Sequence, residues 1–306
     1  MNEKINFIEK LKEQKVHDFE YLRALSNLIK ELKPLQYSTS SILEIWYEYM
    51  WKIESQNTIR VSPFSFEGFK GIKGQEHIFE CVQEAGVFVS FHLNNYRLIP
   101  FYLALFLKDR GLSYKLSLLI DQKTSELEKE LEQYEIKKDL IDQVLIAENK
   151  NIGFEILKTL EKNHLFLYLD GNTGVGKDFN PIEVNYLSSV VTIRSGIFRL
   201  LSIINKPVCC INIVTDQNGN EYLEAQPLIK VTKNNIHDSA KEMYSHFLNI
   251  LRKNPENWRF WYRHHLQVSD WKQVDVHSDV LVDYYDKQNL FGLSLEDGNF
   301  YKVGEM

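Results

Sequence analysis

The sequence predicts an α/β fold: a mixed central sheet flanked by helices, with a helical arm before it and a short β appendage after it. Three observations lead there. Runs of β-branched and aromatic residues at 87–91, 165–169 and 208–214 alternate with stretches of helical spacing. The turn Asp216-Gln217-Asn218-Gly219 joins the last of those runs to Glu221–Ile229 as a hairpin, which adds an antiparallel strand to a largely parallel sheet. Outside this middle, residues 3–55 carry helical stripes, and the last stretch carries two short alternating runs.

The elements follow in order. Ile5, Phe7, Ile8 and Leu11 make one apolar stripe; Phe19, Leu22, Leu25, Leu28, Ile29 and Leu32 make another, stopped by Pro34. Ser38 to Ser41 offer an N-cap to a third helix containing Ile42, Trp46 and Tyr49. Residues 56–74 read as turns because of Pro63, Gly68, Gly71 and Gly74. Gln75–Ala85 reads as a helix capped by Gly86, and Val87–Phe91 as a buried strand. A helix from Leu98 to about Arg110 is closed by Gly111, and Tyr114–Ile120 is the next strand. Thr124–Asp139 is charged and helical, Gln143–Ala147 a short strand, Ile152–Lys162 an amphipathic helix, and Leu165–Leu169 a strong strand. Ile182–Leu187 and Val190–Ile193 are strand-like, and Gly196–Ile204 is helical. His237–Leu251 and Pro255–Leu266 are helical again, and 280–285 with 290–295 form a terminal hairpin. The expected organisation is an arm over 1–75, a core over 76–266 and an appendage over 267–306.

Composition narrows the classes of function. Over 306 residues the net charge is −6, which argues against a nucleic-acid partner. Cys81, Cys209 and Cys210 have neither disulfide-framework nor zinc-ligand spacing, so they read as reduced core residues of a cytoplasmic protein, and no metal is expected. The first 15 residues are charged and lack a signal-peptide core, and no apolar run approaches the roughly 20 residues of a membrane span.

The stretch Val87 to Arg97 is the centre of the functional reading. Its apolar strand breaks at His92 into a polar His-x-x-Asn turn, ending in Asn95, that feeds a helix. Strand carboxyl ends open onto the crevice of an α/β fold, so His92 is the candidate general base. The alternative is a histidine that only satisfies a strand end. Asp170, Gly171 and Asn172, at the end of another strand, could form a polar wall of the same crevice or a plain Gly/Asn turn. Arg194 and Ser195, at a helix start, offer N–H groups to an anion or simply a cap. Gly171 to Lys177 fits a phosphate-loop spacing. However, Asp178 follows where Ser or Thr is required, and a β-type run follows where a helix is required, so nucleotide hydrolysis is rejected. The segment Asn254 to His265 alternates aromatics with cations, which suits an acidic partner such as a carrier protein or lipid headgroup, or else a packed helix.

Taken together, five segments between about 76 and 266 resemble the late acyltransferases of lipid A synthesis (the lauroyl/myristoyl transferase family) and related bacterial mannoside acyltransferases. They are Phe88 to Tyr96, similar to that family's strand and His-Leu-Gly-Asn-Trp-Glu; the helix to Arg110-Gly111 with its following strand; Leu167 to Asn172, with Gly176 and Val184 to Leu187 beyond it; Ile193 to Leu201 continuing to Lys206-Pro207-Val208; and Asn254 to His264. The resemblance implies a glycerolipid-acyltransferase-like fold and an acyl thioester donor, acyl-CoA or acyl-carrier protein, with no bound cofactor. On that basis His92 is read as the base toward a hydroxyl or amine acceptor in lipid or specialised-metabolite synthesis and Asn95 as positioning the reacting groups, and the N–H groups near Gly171 or Ser195 are the candidates for the oxyanion. The resemblance further implies a cytoplasmic setting with peripheral contact at the inner membrane, although a charged helical arm stands where the family has a membrane-inserting helix.

One departure is chemical. The family pairs its histidine with Asp or Glu five residues on, and Arg97 stands there. A guanidinium repels an imidazolium and cannot orient the ring as a carboxylate does. Either another carboxylate, Asp170 or Glu183, supports His92, with Arg97 holding a carboxylate or phosphate of a substrate, or the chain binds an acyl group or acyl-carrier protein without ordinary transfer. A third reading has the N-terminal arm docking on membranes.

Overall fold

A computed structural model describes residues 2–59, 69–112, 116–128, 141–171, 180–270, 282–288 and 290–302. The chain begins with α1 (Asn2–Glu13), β1 (Val16–His17), α2 (Phe19–Leu32) and α3 (Thr39–Ile59). Next come β2 (Phe69–Lys73), α4 (Gln75–Gln83), β3 (Val87–Ser90), α5 (Ile99–Asp109), β4 (Leu116–Ile120) and α6 (Gln122–Glu128). The middle continues with β5 (Ile141–Ile146), α7 (Ile152–Thr159), β6 (His164–Tyr168), β7 (Ile182–Asn185), β8 (Val190–Ile193) and α8 (Gly196–Ile204). It closes with β9 (Pro207–Thr215), β10 (Glu221–Ala225), β11 (Ile229–Lys230), α9 (Ile236–Lys253), β12 (Val268–Asp270), β13 (Tyr284–Asp286), β14 (Phe291–Leu293) and β15 (Phe300–Lys302). This is a mixed α/β protein, as its alternating pattern predicts. Two compact units divide it: one takes Met1–Thr58, Glu183–Thr192 and Leu248–Met306, the other Ile59–Ile182 and Ile193–Phe247.

The second unit is built on a mixed sheet of order β2-β10-β9-β3-β6-β4-β5, with β11 also paired to β9. Strand β3 lies parallel to β6 on one side and to β9 on the other. All four residues of β3 are buried, as a central strand covered on both faces requires. The hairpin turn at Asp216 sets β10 antiparallel to β9, and its carboxylate accepts the N–H groups of Asn218 and Asn220 at 2.9 Å each. Phe88, Phe166, Leu103, Leu107, Ile211 and Leu223 lie within one continuous apolar cluster on this sheet.

Two local readings change. Residues 69–73, read as part of a turn region, form β2, parallel to β10. Gly71, with φ of 139°, hides the strand from a pattern reading, and the pairing is irregular beside it at Glu221/Tyr222. At the end of α4 the left-handed residue is Ala85 (φ 50°), while the Gly86 N–H reaches back to Cys81 O at 2.7 Å. Gly86 is required for space: a Cβ there would lie 2.6 Å from both Cys81 Sγ and Pro207 O. The charged stretch after Glu128 lies outside the described residues until β5 begins at Ile141.

The first unit contains α1 to α3 and two small sheets. The order of one is β1-β13-β14-β15, so the C-terminal hairpin takes in a third strand and the N-terminal β1; the order of the other is β12-β8-β7. Ser38 caps α3 as its position suggests, accepting the Ser41 N–H on Oγ at 3.1 Å. Pro34 ends α2 by opening a short 3-10 turn, Lys33–Leu35. Leu22, Leu25, Leu28, Ile29, Trp46, Trp258 and Trp261 are all at most 1 % exposed and belong to this unit's core. Among the described residues, no helix is long and apolar enough to cross a membrane.

Candidate active site

His92 and Asp170 leave the carboxyl ends of neighbouring parallel strands. Ser90 pairs with Tyr168 as the last rung of β3 and β6, and the Leu169 N–H extends the ladder to Ser90 O at 2.9 Å. Two residues beyond each end, the side chains meet: His92 Nδ1 lies 2.7 Å from Asp170 Oδ1. The His92 backbone N–H also reaches the same carboxylate, 3.1 Å from Oδ2 and 3.3 Å from Oδ1. A carboxylate only accepts, so Nδ1 carries the proton and the ring's lone pair lies on Nε2. Asp170 is 2 % exposed and the His92 ring 14 %, so the carboxylate is enclosed and the base retains access to solvent.

The turn carrying His92 is held from several strands. Buried Asn212, on β9, accepts from Ser90 Oγ at 3.2 Å and from the Phe91 N–H at 3.4 Å. Asn94 adopts φ of 50°, a conformation Asn tolerates, and its amide donates to Ile213 O at 3.1 Å. Asn95 donates to Glu221 Oε1 at 2.9 Å. Tyr168 donates its hydroxyl to Tyr96 O at 2.9 Å. Phe91 stacks on Phe247 with centroids 4.6 Å apart. Tyr244 donates to Leu169 O at 3.2 Å; burial, and then the charge of Asp170, push its hydroxyl well above the ordinary tyrosine range, so it stays a neutral donor. Tyr102 is pushed up to about 12, by burial first and then by the charge of Glu221.

The remaining sequence candidates stand as follows. Arg97 is half-buried, in the 3-10 turn Tyr96–Leu98, with its guanidinium 5.5 Å from the Tyr96 ring centre. Gly171 follows Asp170 directly, and Asn172 lies outside the described residues, as do Gly174, Gly176 and Lys177 of the rejected phosphate-loop motif. Arg194 and Ser195 precede α8; Ser195 is buried, and its side chain makes no capping bond to that helix. Glu183, the other carboxylate considered for His92, belongs to the first unit, exposed on β7. Among the described residues no group of His, Cys, Asp or Glu side chains is placed to hold a metal.

The segment Asn254 to His265 is core-forming in the first unit. Trp258, Trp261 and His264 are buried, and His264 Nε2 lies 2.5 Å from Glu31 Oε1, both side chains fully enclosed. The Glu31 carboxylate also accepts the Ser188 N–H at 2.7 Å and the hydroxyls of Ser188 and Ser189. Burial pushes this carboxyl up, but the bonds from His264, Ser189 and Ser188 together outweigh burial and hold it below the usual range.

The sequence places His92 and Asp170 at strand ends and offers Asp170 beside Glu183 as the carboxylate that supports His92. It gives no role to Tyr168, Glu221 or Asn212, which surround the turn. Tyr168 is the last residue of its strand, and strand-end position is the signal that would have marked it. Comparison with known protein families returns no match, and neither does comparison with curated protein sequences.

Proposed function

We propose that the second unit is an acyltransferase that moves an acyl group from a CoA or acyl-carrier-protein thioester to a hydroxyl or amine. The observation that carries this reading is the 2.7 Å contact of His92 with Asp170 at the ends of adjacent parallel strands. Asp170 supplies, from the end of the neighbouring strand, the carboxylate that the family resemblance expects at position 97. Held with Nδ1–H toward Asp170, the imidazole presents Nε2 to an acceptor. Nε2 takes the acceptor's proton as its oxygen or nitrogen attacks the thioester carbonyl carbon. The tetrahedral oxyanion collapses, the carbon–sulfur bond breaks, and the imidazolium returns the proton to the leaving thiolate. Backbone N–H groups near Gly171 or Ser195 are the candidates for stabilising the oxyanion.

Arg97 favours a second reading, in which the chain binds an acyl group or a carrier protein without transferring it. Thiol release separates the two. Purified protein is incubated with acyl-CoA and acyl-carrier-protein donors of several chain lengths and a pool of hydroxyl and amine acceptors, beside His92→Ala. Transfer predicts release that the variant loses. Donor binding without release, with wild type and variant alike across the acceptor pool, supports the second reading.

A further inference from the structure

We infer that Tyr168 is a positioning residue for His92: its ring is the π surface against which the imidazolium forms. The inference rests on the reading of His92 as a general base. The two ring centres are 4.4 Å apart with planes inclined by 36°, a close tilted contact, and Tyr96 stands against the imidazole at 4.5 Å and 61°. Tyr168 and Tyr96 are themselves edge to face at 5.4 Å. The phenol of Tyr168 is committed to Tyr96 O, which fixes its ring and removes the hydroxyl as the reacting group. A cation over an aromatic face is attracted by the ring quadrupole, and the attraction grows where water is partly excluded, as it is around this ring.

The surroundings give that attraction a purpose. Asp170, beyond β6, is bonded to the ring. Glu221 on β10 is engaged by Asn95, and Tyr244 on α9 donates to Leu169 O. Arg97, the cation nearest in sequence, follows Tyr96 and lies over its ring. Tyr168 adds a second favourable term for the protonated ring without adding a charge that would hold the proton against transfer.

The test is a ring titration that needs no substrate. Position 168 is replaced by phenylalanine and by phenylalanines carrying one, two and three fluorines, which keep the ring's shape while draining its π face. The His92 ring is followed by NMR in each protein. Tyr168→Phe should titrate near wild type, and the midpoint should then fall steadily with fluorine number, by about half a pH unit across the series. Tyr168→Leu should fall at least as far. A midpoint that stays flat across the fluorinated series overturns the inference, whatever thiol release shows. A falling midpoint with no His92-dependent thiol release upholds this arrangement and tells against acyl transfer alone.

Discussion

At the scale of single residues, the proposed acyl transfer rests on one hydrogen bond between groups 78 positions apart in the chain. Asp170→Asn keeps the shape but replaces an acceptor-only carboxylate by an amide that can donate to Nδ1 and so favours the wrong tautomer. It should lower thioester turnover by about 10²–10⁴-fold, with the donor's KM changed far less. Nitrogen NMR of the His92 ring checks the cause: the proton should sit on Nδ1 in wild type and lose that preference in the variant. His92 was legible because a polar residue interrupts an apolar run where a strand ends. Asp170 was legible as a strand-end turn. Their pairing requires β3 and β6 to be neighbours, a fact of strand order that no local spacing contains.

At the scale of elements, the sequence speaks most clearly where one physical signal acts alone. Ser38, Pro34 and the Asp216 turn mark boundaries by caps, a missing N–H and a hairpin, and the structure uses each that way. The signal fails where two causes share a residue type. Gly71 reads as a turn but lies within β2, and Gly86 reads as a left-handed cap but serves close packing against Cys81 and Pro207. Gly86→Ala should therefore destabilise the second unit by about 1–3 kcal/mol through overpacking, because one of the close atoms is backbone and cannot turn aside. Denaturant unfolding measures this, and Gly219→Ala, with nothing within 4 Å of its Cβ but φ of 79°, separates crowding from backbone strain. The two-residue β1 is too short for any periodicity to announce it; it exists because β13 supplies its partner.

At the scale of the whole molecule, a reading along the chain divides it at consecutive boundaries, whereas the two units take alternate segments. Glu31 shows what this does to the first unit: it collects bonds from Ser188, Ser189 and His264, residues far away in the chain. Removing its carboxylate in Glu31→Ala leaves His264 enclosed without that partner and should cost about 3–5 kcal/mol. Because the folded carboxyl lies below its ordinary 4.5, its contribution is fully present above that value and is lost as pH falls through the folded range. Stability measured by denaturant from about pH 6 down to about pH 3 should fall, and Glu31→Gln should flatten that fall.

The proposal that Asp170 supports His92 as a general base is tested most directly by thiol release from Asp170→Asn at saturating donor. The account predicts at least a hundredfold loss, with His92→Ala losing no less. Release at the wild-type rate in Asp170→Asn, with His92→Ala inactive, would show a base that works without Asp170 and would contradict the claim.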